Sequence, residues 1–440
     1  MSKYLLFESD PIDQPAAADP VERLTWCALR IRVGQRFVSR IWDKSLQSER
    51  THLYLPAFPV AQWLVENWWS LFNELCPTDK VPTSVTSETQ LKWIKRHCLR
   101  SADSALMLPA VYVFHDGQTL CAQWQPDIPG SMPNMPGEFI TDGAEPLETN
   151  STRESLTNFI NDCLSRISQV RDSRVVQLAE QWKAIQGADV DEQQFCSLAG
   201  RMGTDPYDDG EMTEELVRFL EQASPEDPLV RDLTEVAHRE FVVEQWSWLT
   251  RVAAELGLGP NPLDVPFDIP SRDLSPPLFG YELAGTVRAL AQVSPQSPLD
   301  SVEAVAHRAT GRTLRFEERN HVPGQGVRAV VGRSAGDMVC AGPAPSRADS
   351  RRFLLARSLY HAIVTTRTRH RLVTTAHSWE QEASRAFAAE LLAPRRALVG
   401  RIPTSGADSD AIESLSREFT ASTIVIENQL ENAGISLSSE

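Results

Sequence analysis

The sequence lacks the marks of several protein classes. Its seven cysteines are odd in number, lie scattered from Cys27 to Cys340 and include no C-x-x-C pair. This pattern argues against a disulfide framework and a cysteine-rich zinc site, and it favours a reducing cytoplasm. No apolar run approaches the roughly 20 residues of a membrane span, and the amino terminus turns acidic too early for a secretory leader. We expect a cytoplasmic protein that does not enter a membrane.

Positive charge is also scarce. Lys and Arg number 43 against 59 Asp and Glu, which gives a net charge of −16. Nucleic-acid affinity depends largely on clustered cations that neutralise phosphates, so we expect no strong nucleic-acid binding. The run Arg367, Arg369 and Arg371 is interpreted as solvated surface rather than a basic patch.

Motifs for nucleophilic or phosphate chemistry are missing as well. The sequence has no P-loop, no G-x-S-x-G elbow and no other nucleophile signature. His97-Cys98 could form a thiol site, but we interpret it as a core cysteine beside a surface histidine.

Composition predicts an α+β protein of three regions. Residues 1–165 hold seven of the eleven tryptophans and are predicted to form a Trp-rich α+β domain of unknown role. Residues 166–258 are predicted to be helical. The segment 257–277, with five prolines before Pro277, is a predicted linker, and residues 278–440 form the third predicted domain.

Periodicity predicts the elements of the first two regions. Residues 60–72 predict a buried helix in which Trp68-Trp69 belongs to the core rather than to a ligand platform. Strands are expected at 110–114 and 120–124 with a turn at 115–117, and a loop at 125–150. Helices are expected at 154–170, 214–223 and 233–256.

Residues 195–206 have a weak helix-turn-helix pattern. Asp205, Asp208, Asp209 and Glu211 crowd the expected turn and the next helix, where a recognition helix would carry basic or amide side chains. We therefore interpret this segment as part of an ordinary packed helix bundle rather than as a DNA-binding motif. A transcription regulator remains an alternative function.

The last region alternates element types. The patterns predict helices at 281–290 and 299–306 and strands near 313–316, 326–331 and 337–340. Further helices are expected from about 348 and over 380–392, and a helix, turn and helix over 412–430.

Two of these helices carry the most informative pattern. The first reads R-F-L-L-A-R-S-L-Y-H over Arg352–His361, and the second ends F-A-A-E-L-L-A-P from Phe387. The pair resembles the zinc-helix signature R-F-x-x-A-H-E-x-x-H and the F-A-A-x-L-L-x-P ending of the ImmA/IrrE metallopeptidases. This resemblance implies a zincin-like domain over about 278–437.

The resemblance also implies where a metal site would be. Two histidines at i and i+4 grip Zn²⁺ and the intervening Glu is the general base. Here Arg357 and Ser358 take the first His and Glu positions, and only His361 remains. The third ligand, four residues before Phe387, is Ala383.

The nearby residues Glu380 and Glu382 leave two other arrangements of the site open. Glu380 and Glu382 are out of register as ligands, although His361 with His370, His377 and Glu380 could form a loose cluster. Alternatively, Arg357 replaces the metal and pairs with Glu382 or Glu380, or it lies exposed on the helix surface. We treat all five positions, Arg357, Ser358, His361, Glu380 and Glu382, as a vestigial site with no confident catalytic or metal-binding residue.

The leading functional hypothesis is a catalytically degenerate protein that binds a protein or peptide partner in bacterial regulation, mobile-element biology or phage defence. No cofactor is expected. The alternative is an active zinc endopeptidase with displaced ligands that cleaves a regulatory protein.

Overall fold

The structure is a computed structural model that describes residues 3–13, 17–78, 80–82, 85–130, 135–256, 265–320, 324, 326–334, 336–365, 370–402 and 406–437. The chain divides into two compact units, an N-terminal unit, Met1–Gln222, and a C-terminal unit, Ala223–Glu440. The predicted central region 166–258 contributes to both units. The three-domain scheme stays a prediction.

The N-terminal unit mixes short strands with helices. Its strands are β1 (Leu5–Pro11), β2 (Trp26–Val33), β3 (Arg36–Phe37), β4 (Ile41–Asp43), β5 (Ser48–Arg50), β6 (Leu53–Pro56), β7 (Ala110–His115), β8 (Leu120–Gln125), β9 (Gly137–Phe139) and β10 (Gly143–Leu147). Its helices are α1 (Pro20–Thr25), α2 (Phe58–Glu66), α3 (Trp68–Asn73), α4 (Glu88–His97), α5 (Thr149–Ile167), α6 (Ser173–Gly187), α7 (Val190–Arg201) and α8 (Glu214–Gln222), with a 3-10 turn at Leu99–Ala102.

Within its described residues, this unit has three antiparallel sheets. One has the order β1-β2-β3 with β6 also paired to β2, the second β10-β8-β7 and the third β5-β4-β9. Trp68 and Trp69 are 3% and 5% exposed, which confirms their assignment to the core. A Cβ at Gly200 would lie 2.6 Å from the Trp69 carbonyl oxygen, so the glycine allows α7 to pack directly on α3.

The predicted hairpin at 110–124 is confirmed by β7 and β8. One other prediction for this unit is confirmed in part, and one is wrong. The helix at 60–72 is interrupted at Asn67, whose side-chain amide donates to the Trp63 carbonyl at 2.8 Å and ends α2. The loop predicted at 125–150 contains β9, β10 and the start of α5, because short strands separated by prolines leave little period to detect.

The C-terminal unit consists of one mixed sheet with helices packed against it. Its strands are β11 (Leu314–Glu318), β12 (Val327–Ser334), β13 (Asp337–Gly342) and β14 (Arg371–Thr374). Its helices are α9 (Pro228–Thr234), α10 (Val242–Leu256), α11 (Pro276–Leu290), α12 (Val302–Thr310), α13 (Ala348–Val364), α14 (Trp379–Leu392), α15 (Arg395–Val399), α16 (Ser409–Phe419) and α17 (Thr423–Asn432). The strand order is β11-β13-β12-β14, and only the β11–β13 pair among these described strands is parallel.

Most predicted elements of this unit are confirmed within a few residues. They include the three strands before α13, the start of α13 at Ala348, α14 and the closing pair α16 and α17. The single helix predicted at 233–256 is wrong, because α9 ends at Thr234 and α10 begins only at Val242. Of the predicted linker, residues 257–264 lie outside the described residues, and its last two prolines begin α11.

The fold class is α+β, as predicted. No helix in the described part of the chain combines the length and the apolar character needed to cross a membrane.

Candidate functional site

Helix α13 carries the candidate site, and its segment from Leu354 to Ile363 is buried on every side. All residues from Leu354 to Ile363 are buried, in a helix that packs against α14 and contacts the sheet. A helix buried all round has no polar stripe. The side chains of Arg357, Ser358 and His361 therefore all lie in the interior, at 6%, 0% and 1% exposure.

The Arg357 guanidinium is held by neutral acceptors alone. Its Nε donates to Ser384 Oγ at 3.0 Å. Its Nη2 donates to Gln381 Oε1 at 2.6 Å and to the Thr374 carbonyl oxygen at 2.9 Å. These bonds tie α13 to α14 and to the end of β14.

Burial lowers the pKa of Arg357 well below its ordinary value, and the positive charges of Arg385 and Arg328 act in the same direction. Guanidinium nevertheless remains protonated in proteins because its intrinsic pKa is so high. The site therefore contains a buried cation with no carboxylate partner among the described residues.

Both sequence interpretations of Arg357 are wrong. The side chain is not exposed, and it pairs with neither Glu380 nor Glu382. The reason is helix register: Gln381, the residue between the two acids, is fully buried and points at Arg357, while both acids are directed away. Gln381 also accepts from Thr374 N at 3.1 Å and donates one N–H to the Leu372 carbonyl at 2.9 Å.

The two acids belong to other clusters. Glu380 accepts from the Tyr360 hydroxyl at 3.0 Å and pairs with Arg272 at 2.5 Å. Glu382 lies 3.9 Å from His377 Nδ1 in a partly exposed contact. The loose cluster of His361, His370, His377 and Glu380 considered from the sequence is thus not formed as a unit.

Ser358 and His361 complete the vestigial positions on α13. The Ser358 hydroxyl donates to the Leu354 carbonyl at 2.9 Å, one turn back, so it is neither a base nor a ligand. Neither ring nitrogen of His361 lies within hydrogen-bonding geometry of a partner, although the Gln381 amide is close enough to oppose part of the fall in its pKa. Desolvation lowers the pKa of His361 well below its usual value, and Arg371 and Arg357 add to the effect.

His361 and His370 meet at a cavity of about 10 Å³, which we call the His361 cavity. Arg333, Thr365 and Arg371 also line it. This volume is about the minimum that can hold one water molecule.

Arg371 is not the surface residue that the sequence interpretation assumed. Its side chain is 12% exposed and bonds Asp232 on α9 through Nε at 2.8 Å and Nη2 at 3.0 Å. Asp232 also accepts from Leu372 N at 2.9 Å. Arg367 and Arg369, the other members of that run, lie outside the described residues.

This set of side chains does not fit a zinc ion. His361 is the one imidazole on the helix face, and the adjacent Arg357 cation would repel Zn²⁺ in a medium of low dielectric constant. No cluster of three or more His, Cys, Asp or Glu suited to a metal ion is present in the described ranges. The side chains at this position are therefore the wrong kinds of ligand for Zn²⁺.

The segment considered for DNA binding is not a helix-turn-helix. Helix α7 ends at Arg201 and α8 begins at Glu214. Twelve residues separate them, against the three or four of that motif.

No protein-family model matches the chain, and no curated protein is significantly similar to it. The resemblance to the ImmA/IrrE peptidases therefore depends on the two helix segments quoted above.

Sequence reasoning missed Gln381 and Asp232. A search for acidic ligands on α14 passes over an amide, although its position one residue after Glu380 could have identified it. Asp232 lies 139 residues before its partner Arg371, and nothing in the local sequence connects the two.

Proposed function

We propose that the protein is a non-hydrolytic, cytoplasmic binding protein whose C-terminal unit is a degenerate zincin-like domain of the ImmA/IrrE type. It acts through contacts with a protein or peptide partner, in bacterial regulation, mobile-element biology or phage defence. The Trp-rich N-terminal unit provides a second surface for contacts.

One observation carries this proposal. Arg357, at the position of the family's first zinc ligand, is buried and bonded across to Ser384 and Gln381 on α14. A guanidinium bonded across to the second helix occupies the place of the first zinc ligand, but it cannot polarise a carbonyl group or activate water as zinc does. On this proposal, the protein keeps the zincin-like fold and has lost the ability to hydrolyse peptides.

The first test is the metal content of the full chain purified from zinc-supplemented cells. We expect well under one equivalent of zinc per chain by mass spectrometry. A triple variant, Arg357→His, Ser358→Glu and Ala383→Glu, restores the family's ligands and should bind more zinc than the wild type. Arg351→His, near the exposed N-terminal end of the same helix, is the matched control and should not. Stoichiometric zinc that survives mild chelation in the wild type would overturn the proposal.

The second test concerns the partner. A protein that co-purifies with the full chain should stay intact during long incubation with added Zn²⁺, as judged by intact mass. Cleavage that requires His361 would instead establish a peptidase with displaced ligands.

A further inference from the structure

The C-terminal unit has a second, much larger pocket, of about 560 Å³. It is formed by the end of α14, the short helix α15 and the chain after α17, and its lining includes Glu390, Arg395, Arg396, Val399 and Ala433. We call it the Arg396 pocket. Small-molecule sites usually enclose roughly 300–1,000 Å³. The pocket opens to solvent, so it can also admit the end of a larger molecule.

Arg395 is held in a fixed position at this pocket. Its guanidinium carbon lies 3.7 Å from the centroid of the Tyr281 ring, and its Nε donates to Glu390 Oε2 at 3.2 Å. Tyr281 is fixed in turn, because Asn432 Nδ2 donates to its hydroxyl at 3.2 Å. Neither terminal nitrogen of Arg395 has a hydrogen bond within the described ranges. The guanidinium is therefore oriented in advance, and its terminal N–H groups remain for an acceptor outside the chain.

Arg396 has no partner among the residues that the structure describes. Its side chain is exposed and makes no hydrogen bond, ion pair or ring contact there. Arg401, a few residues further along, differs in this respect. Its Nε donates to Glu418 Oε1 at 2.9 Å, and its Nη2 donates to the Gln296 carbonyl oxygen at 3.0 Å. Arg396 is thus the arginine whose charge this pocket can offer to a ligand.

The charged groups of the lining leave one positive charge over. Glu390 offsets one of the two guanidinium groups, and its Oε2 also accepts from Gln429 Nε2 at 2.9 Å. A carboxylate carries a single negative charge and fits the fork of a guanidinium group. A phosphate monoester carries about −1.5 to −2 at neutral pH, which exceeds the charge left over. The lining therefore favours a carboxylate.

Part of the lining is apolar. Val399 is 40% exposed, and Ala433 is half-buried. Covering such a surface removes apolar area from water, which favours binding. A ligand with an apolar group beside its carboxylate would use both parts of the pocket.

We propose that the Arg396 pocket binds a molecule with one carboxylate beside an apolar group, either a free organic acid or the carboxyl end of a peptide. The terminal nitrogens of Arg395 and the guanidinium of Arg396 donate to the carboxylate, and the apolar group covers Val399 and Ala433. This inference does not depend on the proposed function, because α15 lies outside the zinc-helix positions.

Ligand-detected NMR titrations of the full chain compare hexanoate, hexanamide and inorganic phosphate. We expect hexanoate to bind with a Kd of about 1 mM. Hexanamide, which has the same shape without the charge, and phosphate should both bind at least about tenfold more weakly. Equal binding of the amide, tighter binding of phosphate, or no binding of hexanoate well above that Kd would overturn the proposal.

Three variants locate the binding. Arg396→Gln changes an exposed side chain and should weaken hexanoate binding about tenfold. Val399→Asp adds a negative charge at the pocket and should abolish measurable binding. Arg308→Gln is the matched control, because Arg308 on α12 is likewise exposed and without a partner in the described ranges but does not line the pocket. It should bind like the wild type. Wild-type affinity in folded Arg396→Gln and Val399→Asp would place the binding elsewhere and overturn the proposal.

A pair of peptides distinguishes the two sources of the carboxylate. Both have one sequence that ends in leucine, one with a free carboxyl end and one with an amide. Binding of the free peptide at least about tenfold tighter than hexanoate would assign the pocket to a chain end, and equal binding would assign it to a free organic acid. Equal binding of the amidated peptide would overturn the proposal. None of these measurements involves zinc, so their failure leaves the proposed function standing.

Discussion

Each unit has an arginine close to a buried histidine on one helix, but only the N-terminal pair, Arg96 and His97, shares a carboxylate partner. In the N-terminal unit, Glu74 accepts from Arg96 through both carboxylate oxygens, at 2.7 and 2.5 Å. The same carboxylate contacts His97 Nε2 at 2.9 Å, and His97 Nδ1 donates to the Val113 carbonyl at 2.5 Å. In the C-terminal unit, Arg357 has only neutral acceptors and His361 has none.

The difference separates two kinds of buried charge. The Glu74 cluster is complete, and Trp93 stacks on His97 with ring centroids 4.5 Å apart. Such a network fixes packing and offers nothing to a ligand. Among the described residues, the α13 site has no carboxylate at Arg357 and no hydrogen-bond partner at His361, so its polar groups are less firmly fixed than those of the Glu74 cluster.

The largest expected effect is at Glu74. Glu74→Gln leaves Arg96 and His97 without a buried negative charge and should lower the free energy of unfolding by about 3 kcal/mol. Burial alone would raise the pKa of Glu74, but the charges and hydrogen bonds of Arg96 and His97 hold it below its usual value. The carboxylate thus stabilises the fold above about pH 4.3, and this contribution is lost as the pH falls further. Denaturant titrations should show a larger difference at pH 7 than at pH 3; equal loss at both would show that charge is not the cause.

The two arginines give the sharpest contrast. Arg357→Met removes a cation that has no carboxylate partner and replaces it with a side chain of similar length, so we expect a change within about 1 kcal/mol. Arg96→Met strands Glu74 and should cost about 3 kcal/mol. Because no carboxylate among the described residues contacts Arg357, its removal strands no buried negative charge. Chemical denaturation of both variants at pH 7 measures the two losses in free energy of unfolding. Similar losses would contradict the expected difference between the two arginines.

Asp205 is an exception within the N-terminal unit and makes a third test. Burial, with added repulsion from Asp208, Glu211 and Glu66, raises the pKa of Asp205 to about 6. A raised carboxyl pKa favours the fold below the unfolded value of about 3.9, and this advantage is lost as the pH rises through 6. After allowance for solvent screening, Asp205→Asn should stabilise the protein by about 1 kcal/mol at pH 8 and by nothing at pH 3. Melting profiles across this range test it, and no pH dependence in the difference would contradict the assignment.

The smallest effect is expected at His361. His361→Leu removes two unmet hydrogen-bonding groups and should change stability by less than about 1 kcal/mol. His97→Leu removes satisfied bonds in the Glu74 cluster and should cost clearly more. Thermal unfolding of the pair decides this, and a larger loss at position 361 would mean that its ring has a partner.

The sequence predicts elements here far better than it predicts contacts. The start of α13, the strands before it and the closing helices follow from periodicity. The burial of Arg357 does not, because a helix buried all round shows no polar face that would distinguish its sides. His97 illustrates the same limit: it was predicted to lie on the surface, and it is fully buried by partners on α3 and β7 that the local pattern does not reveal.

The pairing of Asp232 with Arg371 has a consequence for how the chain is made. The two residues are 139 positions apart, so on a ribosome Asp232 emerges well before its partner is synthesised. Closing so long a loop is an entropically costly, late step in folding. Until then α9 has no anchor on β14, and a polypeptide cut short before residue 371 cannot assemble the wall behind the His361 cavity.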